Sequence, residues 1–300
     1  VKPAEKKLVA VTGPTASGKT RVAITLAQHF HTAIISADSR QCYKELNIGV
    51  ARPSVNELEA VVHYFIASHS IFRPLDAAQY AREAHDLLHE LFKKHDTVIV
   101  CGGSGLYLKA LLEGFDEIPD IPDEIRTHIQ EQYRLHGIGW LQQQLAQQDA
   151  GALQHLDPHN PQRLMRALEV KWHTGKSIRE FQKGSKRQLP WQIIKTGMDL
   201  PRAELYQRIN QRVLNMVEAG LFEEAEQLYP YRHLTPLQTV GYEEIFGCLD
   251  GKYSREEAVR LIQRNTRRYA KRQLTWFRRD PDILWVHPDE CGKMIEAIER

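Results

Sequence analysis

Along the first hundred residues, short runs of consecutive apolar side chains alternate with longer stretches in which apolar positions return every three or four residues. Residues 8–11, 33–36 and 97–101 are such runs, short enough for strands buried on both faces. Residues 19–30, 77–94 and 105–113 carry the helical period instead. Strands alternating with amphipathic helices predict βαβ units, and so an α/β fold with a parallel sheet covered by helices on both faces. Residues 191–197 and 283–286 are candidates for strands that rejoin the same sheet late in the chain.

Between these parts the pattern changes. Residues 118–188 open on Pro119 and Pro122, keep helical spacing almost throughout, and leave through a basic loop at 183–187. The shift predicts an all-helical insertion at 118–188 in a core built from 1–117 and 189–300. Within it, Asn160 is placed to cap a helix that Pro161 opens. Leu164, Met165, Leu168 and Trp172 form its apolar stripe, with Gln162, Arg163, Arg166 and Glu169 on the opposite side. Three further helical stretches follow at 201–218, 221–229 and 254–279.

With 42% hydrophobic and 26% charged residues, the composition is that of an ordinary globular chain of 300 residues. No apolar run reaches the roughly 18 residues of a membrane span, and residues 1–7 hold no signal-peptide core. The expectation is a cytoplasmic protein with no membrane partner and no obligate protein partner. Cys42, Cys101, Cys248 and Cys291 are too scattered for a disulfide framework or a structural zinc site. His155 and His159 are four residues apart, but Pro158 breaks the helix that would bring them together. The net charge of +2 is uneven: residues 252–279 hold ten Lys and Arg against only Glu256 and Glu257. A basic element of this kind is the footprint of a polyanion contact. Its Arg260, Arg264, Arg267 and Lys271 share one helix face, with Ile262, Tyr269, Trp276 and Phe277 on other sides where they can pack on the core.

The chemistry begins after the first strand. Gly13, Pro14, Thr15, Ala16, Ser17, Gly18, Lys19 and Thr20 match the phosphate-binding loop G-x4-G-K-[ST], between a strand and a helix as that loop requires. Its glycines let backbone N–H groups turn inward, Lys19 adds a mobile cation, and Thr20 supplies a hydroxyl for Mg²⁺. The second strand ends at Asp38, Ser39, Arg40 and Gln41, which sets a carboxylate at the ligand-binding edge of the sheet. By residue type that carboxylate can be a general base, a metal ligand through water, or a helix cap. The run at 97–101 leads into Gly102, Gly103, Ser104 and Gly105, a second glycine-rich turn that can meet the same phosphates or simply turn the chain.

Taken together, these motifs resemble the bacterial tRNA dimethylallyltransferase (tRNA isopentenyltransferase) family over nearly the whole chain. The resemblance also rests on Asn47, Ile48 and Gly49 with Arg52 and Pro53, on Thr174 to Lys176, on Val240 to Tyr242, and on 271–278. It implies a P-loop NTPase-like core with an inserted helical domain. It further implies transfer of a dimethylallyl group from dimethylallyl pyrophosphate to N6 of adenine 37 in tRNA, in the anticodon stem-loop, with Mg²⁺. Asp38 would be the general base, and Lys19, Thr20 and the loop amides would hold the pyrophosphate with Ser104 and an arginine from 208–212, Arg212 being favoured. Contacts to tRNA are implied for Asp38, Ser39, Arg40, Gln41, Ser104 and Arg126, and for Gln162, Arg163, Leu164, Met165 and Arg166. They are likewise implied for Gln238, Thr239, Val240, Gly241, Tyr242 and Glu243, and for Lys271, Arg272, Gln273, Leu274, Thr275, Trp276, Phe277 and Arg278. The rival is a small-molecule P-loop kinase using ATP, against which stand the want of an Arg-rich lid and the glycines where a second Mg²⁺ carboxylate would sit.

Overall fold

The computed structural model describes residues 6–116, 118–182 and 187–300. Six strands, β1 (Lys7–Thr12), β2 (Ile34–Ser36), β3 (His63–Tyr64), β4 (Thr97–Gly102), β5 (Gln192–Met198) and β6 (Leu284–Val286), form one sheet in the order β3-β2-β4-β1-β5-β6. Every pairing is parallel. The late strands rejoin the sheet beside β1, and β3, only two residues long, adds an edge that the hydrophobic pattern was too short to announce.

Successive side chains of β1 enter different cores, because a strand buried on both faces alternates between them. Leu8 and Ala10 join one cluster and Val9 and Val11 the other, all fully buried. Helices follow the strands: α1 (Lys19–His29), α2 (Val55–Ala60), α3 (Ala77–Leu91) and α4 (Gly105–Leu112). Buried Val22, Ala23, Leu26 and Ala27 of α1 cover the second face, while Tyr80, Leu88 and Leu111 of α3 and α4 cover the first. The parallel topology places the carboxyl ends of β2, β4 and β1 side by side, where the loops at Asp38, Gly102 and Gly13 emerge.

Residues 114–187 form a compact unit of their own. It contains α5 (Asp123–Gln148), α6 (Ala150–Leu153), α7 (Pro161–Thr174) and α8 (Ile178–Phe181), around a core of Ile129, Leu141, Leu145, Leu164 and Leu168. The long α5 breaks at Gly137, whose φ of +71° suits glycine. Asn160 caps α7 as its sequence announces, accepting from the Arg163 N–H at 3.2 Å. Of the basic loop at 183–187, residues 183–186 lie outside the described residues.

The chain returns to the first unit through α9 (Arg202–Glu218), α10 (Leu221–Leu228), α11 (Tyr242–Leu249), α12 (Arg255–Phe277) and α13 (Cys291–Glu299). Ser54 and Asp76 cap α2 and α3, and Ser254 caps α12. Among the described residues no helix is long and apolar enough to cross a membrane.

Candidate active site

The loop after β1 is bent by three residues with positive φ: Gly13 (+141°), Ala16 (+64°) and Gly18 (+88°). Ala16 in this region is a strained choice for a residue with a side chain, so its neighbours must hold it there. They do so with hydrogen bonds. The Ser17 N–H and the Lys19 ammonium both donate to the Pro14 carbonyl, at 3.3 and 2.6 Å, and the Thr15 N–H donates to Gln273 Oε1 at 2.8 Å. Gly13 and Pro14 are buried, and a β-carbon at Gly13 would stand 3.0 Å from Met198. Residues from Thr15 onward line an open cleft of about 650 Å³.

Burial pushes the Lys19 ammonium down to about 8, with the Arg212 guanidinium acting in the same direction and Cys101 and Asp38 against it. Arg212, from α9, lines the cleft and donates to Thr15 Oγ1 at 3.3 Å. Its own pKa is lowered by burial as well, so two desolvated cations face the loop. Arg208 instead pairs with Glu204 at 2.7 Å, one turn away on the same helix. Arg212 lines the cleft, while Arg208 Nη1 stands 3.6 Å from where a β-carbon at Gly18 would lie.

Asp38 lines the cleft at the end of β2. Its Oδ1 accepts from the Arg40 and Gln41 N–H groups at 2.9 and 3.3 Å, a turn that fixes the carboxylate without withdrawing the residue from the cleft. Asp38 thus closes a turn and lines the cleft, with no helix directly after it to cap. Gln41 donates through Nε2 to the carbonyls of Val50 and Ala51, so its amide braces the next loop. That loop is also held by Glu224 of α10, which accepts from the N–H groups of Asn47, Ile48 and Gly49 and from the Tyr242 hydroxyl, at 2.6–3.2 Å.

Of the two roles open to the second glycine-rich turn, the packing of its glycines supports the structural one, while Gly102 also lines the cleft. A β-carbon at Gly102 would overlap the Ala37 backbone at 2.1 Å, one at Gly103 would meet Gln273 Nε2 at 2.3 Å, and one at Gly105 would meet Trp276 Nε1 at 2.3 Å. At these positions the missing side chain makes room for neighbouring protein. Ser104 is likewise turned inward: its Oγ accepts from the Ser39 N–H at 2.9 Å and donates to Ser39 Oγ at 3.1 Å, which ties it to the Asp38 loop.

The cleft also has apolar lining. Ile209, Val213 and Met216 of α9, Leu221 of α10 and Ile262 of α12 line it, with Tyr269 and Arg272 from the next turns of α12. The spacing of Ile209, Val213 and Met216 around Arg212 is a one-face helical pattern that was available in the sequence.

Comparison with known proteins decides the family. The family model described as IPP transferase matches residues 41–280. A tRNA dimethylallyltransferase of Cytophaga hutchinsonii is 47% identical over 294 residues, 98% of this chain and 97% of the relative. The chain belongs to the IPP transferase family. Another relative, the tRNA dimethylallyltransferase of Christiangramia forsetii, is 46% identical over 96% of this chain and 95% of its own length. Among solved structures, the full-length tRNA isopentenylpyrophosphate transferase of Bacillus halodurans superposes with a TM-score of 0.72 at 32% identity, covering 98% of this chain and 96% of that one. A eukaryotic dimethylallyltransferase acting on tRNA gives a TM-score of 0.77 at 25% identity, covering 94% of this chain and 74% of that chain. Membership of this family makes the chain a transferase with a P-loop NTPase-like fold, and leaves the kinase alternative without support.

Several residues expected at an RNA surface lie elsewhere. In the helical unit, Leu164 is fully buried in the core, because it sits on the apolar stripe of α7, and Glu169 is buried too, paired with Arg166 at 3.3 Å. Gln162 and Arg163 are exposed, Met165 is half-buried, and Arg126 lies on α5 at 3.9 Å from Asp123. In the first unit, Tyr242 is fully buried against Gly49, and Phe277 is buried in the main core. Gln273 is buried between two loops, Leu274 and Trp276 are half-buried, and Arg278 pairs with Asp199 at 3.4 Å beside the Trp285 ring. Arg267 faces α9, donating to Asn210 Oδ1 at 2.6 Å, rather than sharing an open face with Arg260. In the first unit, exposed or cleft-lining positions are Asp38, Ser39, Arg40, Gln41, Gln238, Thr239, Val240, Gly241, Glu243, Lys271, Arg272, Gln273, Thr275 and Arg278. Tyr269, read from the sequence as a packing residue, is a cleft residue with 38% of its surface exposed. His155 Nδ1 lies 2.9 Å from the Gly151 carbonyl, and among the described residues no three His, Cys, Asp or Glu gather as a metal site. Burial pushes the cleft thiol Cys101 up to about 12, so it is inert at neutral pH.

Proposed function

We propose that this chain transfers the dimethylallyl group of dimethylallyl pyrophosphate to N6 of adenine 37 in tRNA, beside the anticodon, and releases diphosphate. The reading rests above all on one cleft that combines a phosphate loop, two desolvated cations, an apolar wall and a carboxylate at the next strand end. The diphosphate fits the loop amides, Lys19 and Arg212. The five-carbon chain fits the apolar residues of α9 and α12, where a nucleoside triphosphate would leave its γ-phosphate without a lid.

In the reaction the adenine amine forms a bond to C1 of the donor as the C1–O bond to diphosphate breaks. Negative charge grows on the leaving oxygen, where Lys19, Arg212 and the loop amides not spent within the protein would stabilise the transition state more than the ground state. The amine becomes cationic as it attacks, and Asp38 takes its proton, which prevents the reverse step. Base assistance of this kind is typically worth about 10²–10⁴-fold. Adenine must leave its stack to reach this depth, at a cost smaller in a loop than in a duplex.

Thr20 lines the cleft in the first turn of α1. A single hydroxyl beside a phosphate site suits Mg²⁺, which takes few protein ligands and completes its shell with phosphate oxygens and water. Bound there, it would add positive charge at the departing diphosphate. Such a reaction places the protein with tRNA, in the cytoplasm.

Incubation with dimethylallyl pyrophosphate, Mg²⁺ and unmodified tRNA, followed by nucleoside analysis, tests the proposal. N6-dimethylallyladenosine is the expected product. Unmodified adenosine throughout, with active tRNA and donor, would reject it.

A further inference from the structure

Gln273 was read from the sequence as part of an RNA-facing run; it lines the cleft, but it is only 7% exposed and its amide is spent on two loops. Oε1 accepts from the Thr15 N–H at 2.8 Å, and Nε2 donates to the Gly103 carbonyl at 2.9 Å. Gln273 lies 258 residues from Thr15 in sequence, so only the packing of α12 brings them together. The chain of contacts continues. Thr15 accepts at Oγ1 from Arg212, the cation that shares the cleft with the phosphate loop. Three residues on from Gln273, Trp276 fills the space over Gly105, so α12 is seated at contact distance on successive turns.

We propose that Gln273 is a positioning residue for donor binding: its bridge fixes the Thr15 backbone, and through Thr15 the Arg212 guanidinium, in the geometry that receives a diphosphate. The inference rests on the transferase reading above, and it adds a mechanical consequence. Tyr269 and Arg272 of the same helix line the same cleft. An RNA held by α12 therefore steadies the helix that steadies the loop, and the two ligands favour each other's binding.

Gln273→Met keeps the length of the side chain and removes both hydrogen bonds. The measurements are thermal unfolding, titration of inorganic diphosphate with Mg²⁺ in the presence and absence of unmodified tRNA, and steady-state transfer from dimethylallyl pyrophosphate. In the wild type, tRNA is expected to tighten diphosphate binding about fivefold or more. In the variant, diphosphate affinity falls roughly tenfold, the effect of tRNA shrinks toward none, and the donor KM rises while kcat stays within about threefold. Binding of tRNA alone is unchanged. A folded variant that keeps wild-type diphosphate affinity and coupling overturns the proposal. Should the variant fail to fold, the wild-type titrations still decide, because diphosphate affinity indifferent to tRNA also overturns it. A wild type that transfers prenyl groups without such coupling refutes this inference alone, whereas one that transfers nothing refutes the reading beneath it.

Discussion

Lys19 is held where its own charge is unwelcome. Its pKa of about 8 lies below the ordinary 10.5 of a lysine because the ammonium is buried before any diphosphate arrives. In the window between those values the unfolded chain holds more protons than the folded one, so Lys19 adds stability as pH rises through it and costs the most below pH 8. Lys19→Met should therefore raise the melting temperature of the ligand-free protein at pH 7, by roughly 2–4 °C, while abolishing tight diphosphate binding. In the wild type, calorimetric titration at pH 7 and pH 9 should find weaker diphosphate binding at the higher pH. Equal affinity at both would contradict the assignment. Asp38→Asn keeps the side-chain oxygen that accepts from Arg40 and Gln41 but cannot take a proton. It should slow transfer by about 10²–10⁴-fold and leave tRNA affinity within severalfold, as single-turnover and filter-binding assays would record. At this scale the placement of residues 15–20 and of Asp38 at one cleft was legible, because both follow strand ends in sequence. Gln273 and Glu224 were not, since each acts on a loop that only tertiary packing delivers.

The element that joins the two substrates is α12. Its glycine partners explain why the sequence left the second glycine-rich turn open between two roles: a glycine needed for close approach of a helix looks in sequence like one needed for close approach of a phosphate. Gly105→Ala sets a methyl group against Trp276 and should cost about 1–3 kcal/mol in denaturant unfolding, a loss absent for Gly139, where a β-carbon meets nothing within 4 Å. The charge pattern was similarly half legible. Spacing predicted a basic face on α12, but Arg267 is turned to α9 and the exposed Arg260 is paired with Glu257; Arg268, Lys271 and Arg272 are exposed further along the helix. Removing the charges of Arg268 and Lys271 together should weaken tRNA binding and lower its salt slope by about 1–2. An unchanged slope would take α12 out of the RNA interface. The short β3 and the six-residue α2 were missed because neither is long enough to show a period.

Across the whole molecule, the change of composition near residues 118 and 188 was a fair guide to the chain's division, for the compact helical unit runs from 114 to 187. Its ends meet: a β-carbon at Gly114 would stand 3.2 Å from that of Arg187. Each unit has its own buried core, so replacing 114–187 by a short linker should leave a folded remainder that binds diphosphate and loses most of its tRNA affinity. The most direct test of the account couples both halves of the reaction in one experiment. Diphosphate release and prenyl incorporation are followed together on tRNA with adenine or guanine at position 37, for the wild type and for Asp38→Asn. The account predicts one diphosphate per modified adenine in the wild type, neither event with guanine, and both slowed alike in the variant. Diphosphate released at full rate without an acceptor adenine, or transfer indifferent to the loss of the Asp38 carboxylate, would contradict it.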